Sequence, residues 1–235
     1  MHAVTGISDH IGWAEFVTIG VQDETPLILD RRRVELIQAG IPTAPYHHEG
    51  LELPRAQVKA IIECARKSIA QHCRTALAQA KSAHGILAIA LQQSPMDRLP
   101  NELSEILASR RITCAADGMM YREMLADIGK SMGLKVSRYP RRSDEIAAVA
   151  ATLGTNRATV AEHIAALGRH VGPPWRKEHQ VAAASALREY EARGSGWHEV
   201  ARPEVLPKGV PEALLTSRTL AAAGTGPYLG LHANR

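Results

Sequence analysis

The stretch HAVTGISDHIGWAEFVTIGVQDETPLILDRRRVELI, residues 2–37, decides the fold. His2 to Ile7 is a short, extended apolar run closed by Ser8, Asp9 and His10. Trp13 to Val21 is rich in aromatic and β-branched residues, the composition of a second strand. Gln22 to Pro26 has the chemistry of a turn, and Leu27 to Ile37 reads as a third strand with Arg31, Arg32 and Arg33 in its middle. Three strands joined by short turns imply an antiparallel meander.

Beyond the meander the pattern changes period. Gln38 to Leu53 is a loop with Pro42, Pro45 and the pair His47-His48, longer than most connections, and loops of that length often carry function. Pro54 suits a first helical position, and Val58, Ile61, Ile62, Ala65, Ile69, Cys73 and Leu77 follow as one apolar stripe. Gly85 to Leu91 is wholly apolar, as expected of a strand covered on both faces. Asn101 to Ser109 reads as a short helix and Ile112 to Ala116 as a further buried strand. Asp117 is then expected to cap a helix that Gly133 ends, before a strand at Lys135 to Tyr139. Helices are expected from Ser143 to Leu153, with Ser143 as cap, from Thr155 to Leu167, and from Lys177 to Arg193, the last two separated by the corner Gly172-Pro173-Pro174-Trp175. Periodicity fails after Gly194. The expected organisation is one α/β domain over residues 1–193 and a poorly ordered Gly, Pro and Ala-rich tail over 194–235.

Composition narrows the setting. Only 4% of the residues are aromatic, with a single Phe16, so the core must rest on Ala, Leu, Ile, Val and Met. No run of about 18 apolar residues is present, and no secretory signal is read at the N-terminus, so no membrane association is expected. Cys64 and Cys73 fall on one expected helix, on opposite faces roughly 13 Å apart, too far for a disulfide. With Cys114 they make an odd set of free thiols, which fits a cytoplasmic protein. The net charge of +4 is mild. The basic residues are clustered at Arg31–Arg33, at Arg138, Arg141 and Arg142, and at Arg176-Lys177. Solvated surface charge and an anionic partner are both open readings.

The element order resembles the ribonuclease H-like superfamily, and within it the RuvC-type Holliday-junction resolvases. The stretch from Gly6 to Ala14 is similar to their first strand, catalytic aspartate and Gly-aromatic-Ala entry to the second strand, with a compressed interval. Asp117 to Pro140 is similar to a helix-strand segment of that family, and Lys177 to Tyr190 stands where its last helix supplies further aspartates. The resemblance implies a three-layer fold with a mixed sheet, an antiparallel three-strand meander and flanking helices. It also implies a metal-dependent nuclease or related phosphoryl-transfer enzyme using Mg²⁺ or Mn²⁺. Two departures stand against a full metal set: Gln92 and Gln93 follow Leu91 where the family has a glutamate, and Glu178 and His179 replace paired aspartates.

Candidate site residues follow. Asp9, Glu49, Glu178 and His179 are the candidate catalytic residues, and Asp9, His48 and Glu178 the candidate metal ligands. All five are expected to converge at one sheet edge, because each lies at a strand end, in the long loop or at a helix start. Each has a bland alternative: Asp9 as a turn residue, the Pro45 to Glu49 loop as a scaffold with backbone-bonded histidines, Glu178 as a dipole-favoured first-turn acid. Arg31, Arg33, Arg141 and Lys177 are the candidate contacts to DNA or RNA phosphates, with an ion pair to Glu35 and edge-strand protection as the alternatives for the arginine strand. The two functional readings are a metal-dependent nuclease and a non-catalytic nucleic-acid-binding or interaction domain with a degenerate active site. The oligomeric state is left open.

Overall fold

A computed structural model describes residues 2–23 and 25–192. The expected tail therefore lies outside the described residues. The meander forms as expected: β1 (Ala3–Asp9), β2 (Trp13–Gln22) and β3 (Thr25–Glu35) pair antiparallel. A short helix α1 (Glu49–Glu52) and the long helix α2 (Arg55–His84) lead to β4 (Ile86–Gln92). Next come α3 (Leu103–Leu107), α4 (Arg110–Ser131) and β5 (Lys135–Tyr139). Three helices complete the order: α5 (Glu145–Thr152), α6 (Arg157–Val171) and α7 (Lys177–Glu191). The sheet order is β3-β2-β1-β4-β5, with β1, β4 and β5 mutually parallel.

Two apolar layers sandwich this sheet. On one face Ile7, Phe16, Ile89 and Leu91 pack with Ile69 and Leu77 of α2 and Tyr121 and Leu125 of α4. On the other, Val4, Val17, Ile19 and Ala88 pack with Val149 of α5, Ile164 of α6 and Leu187 of α7. Alternation along β1 sends Ile7 to the first layer and Val4 to the second, the period-2 rule at work. The scarcity of aromatic side chains is met by close approach. A Cβ on Gly6 would stand 1.8 Å from the Ala182 carbonyl oxygen, so α7 lies directly on the backbone of β1. Ala182, Ala183, Ala184 and Ala186 are fully buried there. This contact sets the start of α7 beside the end of β1.

Three local expectations are corrected. Ile112 to Ala116 is not a strand but lies within the first two turns of α4, which runs unbroken from Arg110. A short apolar run carries no period of its own, and the helix that continues through Ser131 absorbs it. Asp117 consequently sits inside α4, not at its start. Its carboxylate accepts the backbone N–H groups of Tyr46 at 3.0 Å and His47 at 3.1 Å. Ser143 does not cap α5: Asp144 does, accepting the N–H of Ala147 at 3.1 Å, while the Ser143 hydroxyl bonds to Pro140 and Glu145. Among the described residues no helix is long and apolar enough to cross a membrane.

Candidate functional site

The parallel strands β1, β4 and β5 end together, and in open α/β sheets the crevice beyond the carboxyl ends of such strands is where ligands bind. A cleft of about 240 Å³ lies there. Ser8, Asp9 and His10 from the end of β1 and Gln92 and Tyr139 from the ends of β4 and β5 form one wall. Lys177 and Glu178 from the first turn of α7 form the other. Asp9 and Glu178 thus share one cleft, as their positions at a strand end and a helix start imply.

Asp9 is not free within it. Arg122, from the middle of α4, holds both carboxylate oxygens: Nε donates to Oδ1 at 3.0 Å and Nη2 to Oδ2 at 2.6 Å. The side chains are 8% and 4% exposed, so the pair is screened little by solvent. The remaining face of the guanidinium donates to the Gln93 carbonyl at 3.1 Å and, at 3.4 Å, to the Gln92 side-chain oxygen. One arginine therefore laces the end of β1 to the end of β4. Tyr139 closes the same end, its hydroxyl donating to the Ile7 carbonyl at 3.1 Å. Burial pushes its phenol well above the usual range, and the Asp9 and Glu145 carboxylates add to the effect.

The donor set fits a divalent cation poorly. Asp9, the carboxylate at the head of the cleft, has its oxygens committed to a guanidinium. Gln92 offers a neutral amide already turned toward Arg122, and Lys177 adds a positive charge to the wall that carries Glu178. Hard divalent ions require several oxygen donors, usually with carboxylate charge. Among the described residues no group of three or more His, Cys, Asp or Glu side chains is placed to hold a metal.

The other candidates are distributed differently from the expectation. His179 is buried behind the cleft: its Nδ1 accepts the backbone N–H of Arg176 at 3.0 Å and its Nε2 faces a Glu15 carboxylate oxygen at 3.3 Å. Both ring nitrogens serve the start of α7 and its junction with β2. His48 is exposed, outside the lining of the cleft, and its backbone N–H bonds to Ala44. Glu49 begins α1, at the end of a loop that Asp117 fixes through two backbone amides and Tyr121 through the Thr43 carbonyl at 2.8 Å. Of the five residues expected to converge, Asp9 and Glu178 line the cleft.

The basic candidates divide as well. Arg31, expected at phosphate, instead donates to the carbonyls of Gly172 and Pro174, both at 2.6 Å, and of Pro173 at 3.4 Å. It clamps the corner that aims α7 at the cleft. Arg32 points the other way, to the Ala76 carbonyl and Gln79 on α2. Arg33 pairs with Glu35 at 2.7 Å and lies 4.0 Å over the Trp13 ring. Trp13 in turn stacks on His10, with centroids 4.0 Å apart. Arg141, Arg142, Arg176 and Lys177 are exposed. All four follow the end of β5 or begin α7, on the edge that carries the cleft.

Arg122 is the residue that sequence reasoning missed. Its signal lay in the spacing Met119, Arg122, Ala126, Gly129, which puts a cation on the buried stripe of α4. A cation there needs a buried anion, and Asp9 is that anion.

No family model matches the chain, and no curated protein matches it. Solved structures do. The chain is similar to a structure described as T. thermophilus RuvC in complex with Holliday junction substrate, at 14% identity and a TM-score of 0.50, over 84% of this chain and 98% of that one. It is also similar to a Thermus thermophilus RuvC structure, at 15% identity and a TM-score of 0.48, over 82% and 96% of the two chains. The strand order, the antiparallel meander followed by parallel β4 and β5, and helices on both faces give this chain the ribonuclease-H-like fold of RuvC type.

Proposed function

We propose that this chain binds nucleic acid along the carboxyl-terminal edge of its sheet without hydrolysing it. The observation that carries the reading is the Arg122–Asp9 fork: the carboxylate best placed to hold a catalytic cation already has a fixed one. The exposed Lys177 lines the same cleft, Arg176 precedes it, and Arg141 and Arg142 follow the lining residue Tyr139 by two and three positions, and all four offer phosphate contacts. The solved RuvC structure of like fold is a complex with a Holliday junction, which makes branched DNA the first substrate to try.

The second reading, a nuclease dependent on Mg²⁺ or Mn²⁺, rests on Asp9 and Glu178 sharing the cleft. It requires Arg122 to leave Asp9, and the hydrogen bonds to Gln92 and Gln93 oppose that movement.

A titration of a four-way DNA junction at two salt concentrations tests the binding. Each phosphate contact contributes a slope of about 0.9 in log affinity against log salt, so replacing Arg141 and Lys177 by Ala lowers the slope by roughly 2. Absence of binding by the wild type at low salt, to junction, duplex and single strand alike, contradicts the proposal.

A further inference from the structure

We infer that Arg122 is itself the cation of this site, a built-in replacement for a divalent ion. The ends of β1 and β4 bring Asp9 and Gln92 together, one acid and one amide, with Glu178 across the cleft. A buried acid at such a junction needs a positive charge. The fork on Asp9 supplies it, and the bonds to Gln92 and Gln93 fix the guanidinium on both strand ends at once.

Donor arithmetic supports the assignment. A guanidinium carries about five N–H donors. Two go to Asp9, one to the Gln93 carbonyl and one to the Gln92 side chain. A group so saturated is a poor phosphate clamp, which separates Arg122 from the exposed arginines. It is also hard to displace. A divalent ion arriving at Asp9 would have to strand a buried guanidinium and then complete its shell from one amide, one carboxylate, the Ser8 hydroxyl and the His10 imidazole, whose ring is held in a stack on Trp13, beside Lys177. The site is therefore charge-balanced without metal, and the fold of this edge owes nothing to divalent ions. The inference rests on the same Arg122–Asp9 fork as the proposed absence of hydrolysis, and its failure is distinguishable from a failure of binding, since metal affinity is measured with no nucleic acid present.

The probe is Mn²⁺ alone, added to the full chain and followed by the paramagnetic signal of the free ion and by thermal melting. The expected result is no Asp9-dependent binding tighter than about 1 mM, the weak limit of dedicated carboxylate sites. The melting temperature is expected to be the same in Mn²⁺ and in a chelator. One equivalent of Mn²⁺ bound to the wild type and lost in Asp9→Asn overturns the inference. A paired variant, Arg122→Gln with Gln92→Glu, removes the built-in cation and supplies an acid. It is expected to gain at least about tenfold in Mn²⁺ affinity and to be stabilised by the ion through mass action. A folded paired variant with no such gain also overturns the inference, and a variant that folds only with Mn²⁺ supports it. If the paired variant folds under neither condition, the wild-type measurement decides alone.

Discussion

Arg122 and Asp9, 113 residues apart in sequence, meet through two parallel hydrogen bonds of 3.0 and 2.6 Å at the carboxyl ends of β1 and β4. The contact changes what the fold can do at its usual ligand-binding edge. A carboxylate open to metal becomes half of a neutral unit, and under the proposed function the exposed cations around it are what is left to meet nucleic-acid phosphates.

The pair is buried, so removing one partner leaves an uncompensated charge. Arg122→Ala is expected to lower the free energy of unfolding in urea by about 3–5 kcal/mol. The charge-neutral double variant Asp9→Asn with Arg122→Gln is expected to lose less than that single change. A loss below about 1 kcal/mol for Arg122→Ala, the value of an exposed pair, would show that solvent screens the contact.

Arg31 and Arg33 are expected to separate in the opposite sense from two interchangeable phosphate contacts. Arg31 holds three carbonyls of the corner between α6 and α7, so Arg31→Ala should cost about 1–3 kcal/mol of stability. Its affinity for a DNA junction should remain that of the wild type. Arg33 makes an exposed pair with Glu35, and Arg33→Ala should cost about 1 kcal/mol or less. Melting curves in which the order of the two is reversed contradict the assignment.

The thiols give a test of packing and of pH. Cys64 and Cys114 are exposed, and Cys73 is buried between α2 and the sheet. Burial pushes the Cys73 thiol up from 9.0 to about 12. An aromatic disulfide reagent should thus label two thiols on the native chain and the third only on unfolding. The linkage has a definite sign. The unfolded chain releases the Cys73 proton near 9 and the native chain only near 12, so stability is whole below 9 and falls through that window. Tyr121 and Tyr139, also raised by burial, act in the same direction. Thermal melts of the wild type should drop more steeply above pH 9 than those of Cys73→Ala. Equal slopes, or three fast thiols, contradict the burial.

Much of the fold was legible in the sequence because its signals are local. The apolar run of β1, the aromatic and β-branched composition of β2, the turn at Gln22 to Pro26 and the apolar run of β4 each point to a strand or its end without outside help. The start of α4 was not legible, since Ile112 to Ala116 is too short to show a period. Of the site, Asp9 and Glu178 were legible from their places at a strand end and a helix start. Their chemistry was not. Whether Asp9 is a ligand or half of an ion pair depends on Arg122, and whether Arg31 is free depends on carbonyls 141 to 143 residues away. Side-chain type gives the capacity to bond, and only the packed chain gives the partner.

The most direct test is a cleavage assay under binding conditions. The full chain is held with an end-labelled four-way DNA junction at protein concentrations that saturate it, in Mg²⁺ and separately in Mn²⁺, and the strands are resolved under denaturing conditions. The account predicts a bound junction whose strands remain intact in both metals. Metal-dependent strand cleavage that disappears in Asp9→Asn would contradict it, because it would show that Arg122 gives up the carboxylate to a catalytic cation.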